Sequence, residues 1–335
     1  MLTVVEIIVE YFPWMAKQYG PGSESHVESA KHTLRMLKDS FGTMPADDFS
    51  VRQMTELRDA MIAKDWCRTY VNRQVGRVRD LFRWSVEMDL IPGTKWPKLL
   101  AMRNLRRGIP NVRETEAVRP APDADIIACI ERLPEVLADM LRLQRWTGAR
   151  PKELMQMRWC DIRRDEATAD LWYHPASHKT KHKGKARRIC LTGEAEALLM
   201  KYADLPPQEV ILSPIRSERL RSAKRSAERK TPRWQSHLDR NLSKRKPDSE
   251  RKKPLRTTYD DTSYRQAVKR ACAKAGVPVF TPYQVRHSAA ARLLSKTKNP
   301  EFVRAMLGHS HVNMALHYSG IDENMAAEAA RLMQE

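Results

Sequence analysis

From Ser25 to Gly93 the apolar residues recur every three or four positions, and this spacing restricts the segment to helices. Val27, Ala30, Leu34, Leu37 and Phe41 form one stripe behind a Ser25–Glu28 capping box. A second box, Ser50 to Gln53, opens a helix with Met54, Leu57 and Met61 on one face, and Val71, Val75, Val78 and Phe82 mark a third. That third helix runs towards Ile91, where Pro92 and Gly93 stop it. A lone amphipathic helix cannot bury its own stripe. With the opening segment, residues 1–105 are therefore expected to form a bundle of about four helices.

Between residues 93 and 123 the pattern fails. Pro97, Pro110, Pro120 and Pro122 alternate with Arg103, Arg106, Arg107 and Arg113, without apolar periodicity. This predicts an extended basic linker over 106–122, able to lie along a polyanion or simply to tether two domains. A second domain over 123–335 opens with two helical segments that reach Thr147. Gly148 breaks the chain, and Pro151 restarts a helix at its favoured first position. Short strands are expected at 169–174 and 187–191 around a Lys-rich turn, followed by a helix through Tyr202. Residues 216–260 carry 16 Lys or Arg against 6 Asp or Glu and few aliphatics, so a mobile basic insertion is expected there. The remainder reads as helix.

Charge narrows the partner. Of 335 residues, 60 are Lys or Arg and 41 are Asp or Glu, a formal net charge of +19. Such a surplus favours nucleic acid, because each neutralised phosphate releases condensed counterions. The five cysteines are scattered and form no CxxC pair, which argues against a zinc site or a disulfide framework. The opening residues lack a basic leader and a small-residue cleavage site, and no stretch matches a membrane span. A cytoplasmic, DNA-associated protein is the resulting expectation, with no membrane partner, no cofactor and no metal.

Four segments of the second half could carry chemistry. In TGARPKEL, Arg150 precedes a helix whose N-terminus already favours an anion, and its guanidinium can grip two phosphate oxygens. In HKTKHKGKARRICL, a lysine on a flexible tip could protonate a departing alkoxide, although a solubilising hairpin fits the segment equally well. In TPYQVRHSAAARLL, Thr281 and Gln284 form a capping box, and Tyr283 and Arg286 share a face near the positive end of the helix. In LGHSHVNMALHYSG, His309 follows Gly308 in a turn and Tyr318 comes nine residues later. Each segment alone also fits a solvated arginine, a helix cap or a packed tyrosine.

Taken in order, the four resemble the signature boxes of the tyrosine recombinases of the phage-integrase type. That resemblance implies a mainly α fold with a small β-sheet: a helical core-binding (SAM-like) domain followed by an α+β catalytic domain. It implies that Arg150 and Arg286 clamp a scissile phosphate, with Glu153 bracing them from behind. Lys179 would be the general acid, with Lys181 as an alternative, His309 would hydrogen-bond the phosphate, and Tyr318 would attack it. Lys181, Lys183, Lys185, Arg106 and Arg107 would contact DNA. One departure stands out, because the family's usual histidine three residues before the second arginine is Tyr283 here. A phenol donates a hydrogen bond but cannot shuttle protons near neutrality. The implied partners are double-stranded attachment sites, with self-association into a tetramer on DNA. A type IB topoisomerase and a catalytically silent DNA-binding protein are the competing functions; a metal-dependent nuclease is the weakest, since no acidic trio or His/Cys cluster is visible.

Overall fold

The computed structural model describes residues 1–19, 24–178, 184, 186–231, 234–243 and 256–311, with backbone alone at 24–26 and 241–242. Two compact units divide the chain, Met1–Ala117 and Val118–Glu335.

The first unit contains α1 (Val4–Tyr19), α2 (Glu24–Phe41), α3 (Val51–Ala63), α4 (Arg68–Glu87) and the short α5 (Lys95–Leu100). The expected stripes meet in one core: Leu34, Leu37, Met54, Leu57, Met61, Val71, Val75 and Val78 are all buried, and Phe49 stacks on Phe82 at 4.6 Å. Ser50 and Gln53 form their capping box, whereas Ser25 lies inside α2, which begins at Glu24. Helix α4 stops at Glu87, short of the Pro92–Gly93 break. The reason is local: Asp89 takes a left-handed conformation (φ 54°), and the Leu90 N–H turns back to the Ser85 carbonyl at 2.9 Å. Residues after Leu105 continue to engage this unit, through Arg68–Glu114 at 2.6 Å and Arg113–Asp65 at 3.1 Å.

The second unit is organised around α7. It contains α6 (Asp123–Ile130), α7 (Glu135–Thr147), α8 (Pro151–Met155), strands β1 (Ile162–Arg164), β2 (Leu171–Tyr173) and β3 (Ile189–Leu191), then α9 (Glu194–Met200), α10 (Pro214–Ala227), α11 (Gln235–Ser243), α12 (Asp261–Ala275), α13 (Pro282–Thr297) and α14 (Pro300–Leu307). Nine of the 13 residues of α7 are buried, because α6, α8, α9, α10, α13 and β3 all pack on it. The sheet is antiparallel in the order β1-β2-β3, with Tyr173 opposite both Ile162 and Ile189. Strand β1 has no counterpart among the sequence expectations, being three residues long with Arg163 and Arg164 exposed.

The described residues of the basic 216–260 segment take in most of α10 and all of α11, while 232–233 and 244–255 lie outside the described residues. Ser213 caps α10 by accepting the Arg216 N–H at 3.3 Å, with Pro214 at the first helical position. Arg216 is held 3.6 Å from Glu209 and lies over the Tyr202 ring. No residue of α10 is buried, so the helix has no apolar stripe for periodicity to detect. All five cysteines are free thiols. No helix among the described residues is long and apolar enough to cross a membrane.

Candidate active site

The site begins where α7 ends. Gly148 closes that helix in the left-handed conformation (φ 61°), and a Cβ there would lie 2.8 Å from Leu307 Cδ2. Both the backbone turn and the close approach of α14 therefore call for glycine. Arg150 follows in an extended conformation, and Pro151 starts α8. Glu153, in the first turn, accepts the Arg150 N–H on Oε2 and the Arg150 Nη1 on Oε1, each at 2.8 Å. The carboxylate thus fixes both the backbone and the guanidinium of Arg150.

Arg286 reaches the same place from α13. Helix α13 starts at the expected capping box, with the Thr281 N–H donating to Gln284 Oε1 at 2.9 Å. It is tied down by Gln144 Nε2 to the Pro282 carbonyl (2.8 Å) and by Ser288 Oγ to the Ala121 carbonyl (2.7 Å). Buried Arg286 donates from Nη1 to the Gly148 carbonyl at 2.6 Å and from Nη2 to the Leu307 carbonyl at 2.8 Å. Its Nη2 also lies 3.5 Å from His309 Nε2. His309 follows Gly308, which caps α14 with φ 64°, and its own N–H donates to the Arg304 carbonyl at 3.0 Å. The ends of α7 and α14 and the first turns of α8 and α13 converge here.

A third arginine completes the cluster, and sequence reasoning missed it. Arg187, just ahead of β3, is 6% exposed. Its Nη1 donates to the Met306 carbonyl at 3.0 Å and the Arg188 carbonyl at 3.2 Å, and its Nε lies 3.5 Å from Glu153 Oε1. A Cβ on Gly308 would sit 2.7 Å from Arg187 Nη1, so the approach of the two segments again depends on glycine. The missing signal was strand alternation: Arg187, Ile189 and Leu191 all point inward while Arg188 is exposed. An arginine at an inward position of a strand is unusual enough to flag.

Arg150 and Arg187 share the Glu153 carboxylate, and Arg286 reaches the neighbouring Gly148 carbonyl, so guanidiniums outnumber carboxylates among the described residues of the cluster. Burial alone would raise the Glu153 carboxyl, but Arg187 and Arg150 outweigh it and hold the group below its usual range. Burial likewise pushes the His309 imidazole down, and Arg286, Arg150, Arg187 and His287 add to the effect, bringing it to about 4. His309 is accordingly neutral at pH 7.

The structure brings Arg150, Glu153, Arg286 and His309 together. Tyr283 lies in the first turn of α13 and is 49% exposed, unlike Arg286 one turn on. Arg106 and Arg107 are exposed residues of the first unit. Lys179, Lys181, Lys183, Lys185 and Tyr318 lie outside the described residues. Among the described residues, no group of His, Cys, Asp or Glu could hold a metal ion.

A mostly helical domain with a three-stranded sheet and a buried cluster of arginines and histidine defines the class of the tyrosine-recombinase catalytic fold. The family model for the phage integrase family matches residues 124–325, and the chain belongs to that family. Among solved structures, a lambda integrase dimer bound to a COC′ core site is 15% identical, with 95% of each chain covered and a TM-score of 0.64. The Tn1549 transposon integrase in complex with circular intermediate DNA is 16% identical, with 98% of this chain and 99% of that chain covered and a TM-score of 0.64. A lambda integrase tetramer bound to a Holliday junction is 15% identical, covering 95% of this chain and 78% of that chain, again with a TM-score of 0.64. No curated protein matches. At these identities the likeness is one of fold.

Proposed function

We propose that the chain is a site-specific DNA recombinase, cutting and rejoining attachment-site DNA for integration or excision through a 3′-phosphotyrosyl bond at Tyr318. The observation that carries this reading is the convergence of Arg150, Arg286 and His309 on one buried, net-positive patch, beside a carboxylate that orients the first arginine. A phosphodiester repels nucleophiles, and its transition state gathers charge on the non-bridging oxygens. Prepositioned guanidiniums stabilise that charge without reorganising.

In this mechanism the Tyr318 hydroxyl oxygen attacks phosphorus and its proton passes to an acceptor. The bond to the 5′-oxygen breaks, and Lys179, or Lys181 on the same segment, delivers the proton that the leaving alkoxide requires. Neutral His309 keeps one ring N–H to donate to a phosphate oxygen. The phosphotyrosyl bond conserves the energy of the broken one, so the reverse attack by a 5′-hydroxyl, on the original or an exchanged partner, reseals the strand. Free tyrosine titrates near 10, so only about a thousandth is phenolate at neutrality, and a cationic pocket lowers that barrier. The lambda integrase tetramer on a Holliday junction supports strand exchange by four copies of this chain on paired sites, with Lys181, Lys183, Lys185, Arg106 and Arg107 on the DNA backbone. An exchange assay with two differently labelled attachment duplexes tests the reading. Recombinant products are expected, whereas relaxation of supercoils without partner exchange would make the protein a topoisomerase.

A further inference from the structure

We propose that Arg187 is a positioning residue for strand cleavage, holding the Glu153 carboxylate and the Gly308–His309 turn so that Arg150 and His309 meet the phosphate. The inference rests on the recombinase reading and deepens it.

Three observations carry it. The Arg187 guanidinium bridges separate segments, with Nη1 on the Met306 carbonyl at the end of α14 and Nε 3.5 Å from Glu153 in α8. A cation at a helix C-terminus is favoured by the exposed carbonyls, which gives this placement a local cause. Next, Nε and Nη2 are buried without a hydrogen-bond partner among the described residues. Nε still points at the Glu153 carboxylate, but a side chain selected only to staple two segments would not bury the two N–H groups of Nη2 unused, and a neutral one would avoid their desolvation. Finally, Gly308 leaves no room for a side chain beside Arg187, so the turn that presents His309 is built against this guanidinium.

The charge arrangement explains the use. Glu153 takes both the N–H and the Nη1 of Arg150, and a carboxylate serving one arginine alone would cancel much of its positive field. With Arg187 on the same oxygen, the carboxylate is shared and the patch stays positive towards a phosphate. Arg187 also faces His309, together with Arg286 and His287 from α13 and Arg150 ahead of α8, while Glu153 opposes them. Burial and the three arginines hold the imidazole below its usual range, so removing one arginine lets it take a proton at higher pH.

The test uses the full chain with R187Q, R187M and R187K, measuring single-turnover formation of the covalent complex on nicked attachment DNA across pH, with DNA affinity and thermal unfolding measured alongside. R187Q and R187M are expected to cleave tenfold to hundredfold more slowly with DNA affinity within about threefold of wild type. The acidic limb of their rate profile should move upward in pH. R187K should recover most of the rate and keep the limb in place. A charge-free variant that folds and cleaves within threefold of wild type, with an unmoved limb, overturns the proposal. So does failure of both charge-free variants to fold while R187K matches wild type throughout, which would assign Arg187 to stability alone. A wild-type protein that forms no covalent complex would instead sink the recombinase reading.

Discussion

Two places in the second unit hold one carboxylate between two arginines, and they use the motif differently. At the first, Asp123 accepts Arg145 Nε at 2.7 Å and Nη2 at 2.5 Å, and Arg292 Nη1 at 2.6 Å. These groups tie α6, α7 and α13 together from the surface, with the Asp123 side chain 40% exposed. The Arg145 hydrogen bonds hold its carboxyl below the usual range, against the opposing pull of partial burial. At the second, the Glu153 side chain is 2% exposed, Arg187 keeps unpartnered donors, and an imidazole stands alongside. The Asp123 clasp also sets two arginines on one carboxylate, but it lies at the surface, where solvent screens the remaining positive charge. In the Glu153 cluster two arginines share one carboxylate out of solvent with Arg286 close by, and a buried cationic site of that kind suits an anion brought from outside.

The contrast is broken most severely by Glu153→Gln. Removing the carboxylate that Arg150 and Arg187 share leaves both guanidiniums without it, and losing one partner of a buried pair costs about 3 kcal/mol. Thermal unfolding is expected to fall accordingly and cleavage to drop by two orders of magnitude or more. The acid behaviour separates two groups. Neutral, buried His309 contributes stability that is complete above its ordinary value of 6.5 and is lost as pH falls towards about 4. Glu153 contributes stability that is present above its ordinary 4.5 and is lost only below it, as pH falls through the lowered folded value. Glu153→Gln should therefore remove the Glu153 share of the loss below 4.5 and leave the higher one visible; a wild-type acid profile in the variant would contradict the ion-pair account.

A smaller effect is expected within α13 itself, where Arg286 is buried and Tyr283 is half exposed. If the phenol edges the phosphate site, Tyr283→Phe slows cleavage about tenfold to a hundredfold, the value of a hydrogen bond to a charged partner. Thermal unfolding should not change, since an exposed hydroxyl stabilises little. A wild-type rate would remove Tyr283 from the site. The smallest effect belongs to the surface clasp. Asp123→Asn should cost below about 1 kcal/mol, a loss that shrinks with added salt, and leave single-turnover cleavage unchanged. A cleavage defect as large as that of Glu153→Gln would erase the distinction between the two triads.

The same distinction explains what was legible in the sequence. Arg150, Arg286 and His309 stand beside local punctuation, Gly148 and Pro151, the Thr281–Gln284 box, and Gly308, so their positions could be read from neighbours in the chain. The stripes of α2, α3 and α4 were legible for a related reason, since burial on one face writes a period into the sequence. Arg187 owes its importance to residues 34 positions before it and 119 after it, and pairings at that distance leave only the inward alternation with Ile189 and Leu191. Helix α10 was obscured for the opposite reason: none of its residues is fully buried, and its charge reads as solvated chain, although Ser213 and Pro214 mark its start. The end of α4 was displaced because Asp89, rather than a glycine, adopts the left-handed turn.

The central claim is that a tyrosine attacks a phosphate held by this buried cationic cluster. Its most direct test is to trap the protein on nicked attachment-site DNA, digest the adduct, and sequence the DNA-linked peptide by mass spectrometry. This mechanism requires a single linkage at Tyr318 through a 3′-phosphate, a free 5′-hydroxyl on the released strand, and no adduct from Tyr318→Phe although it binds the same DNA. An adduct at another residue, or strand cleavage without any protein–DNA linkage, would contradict it.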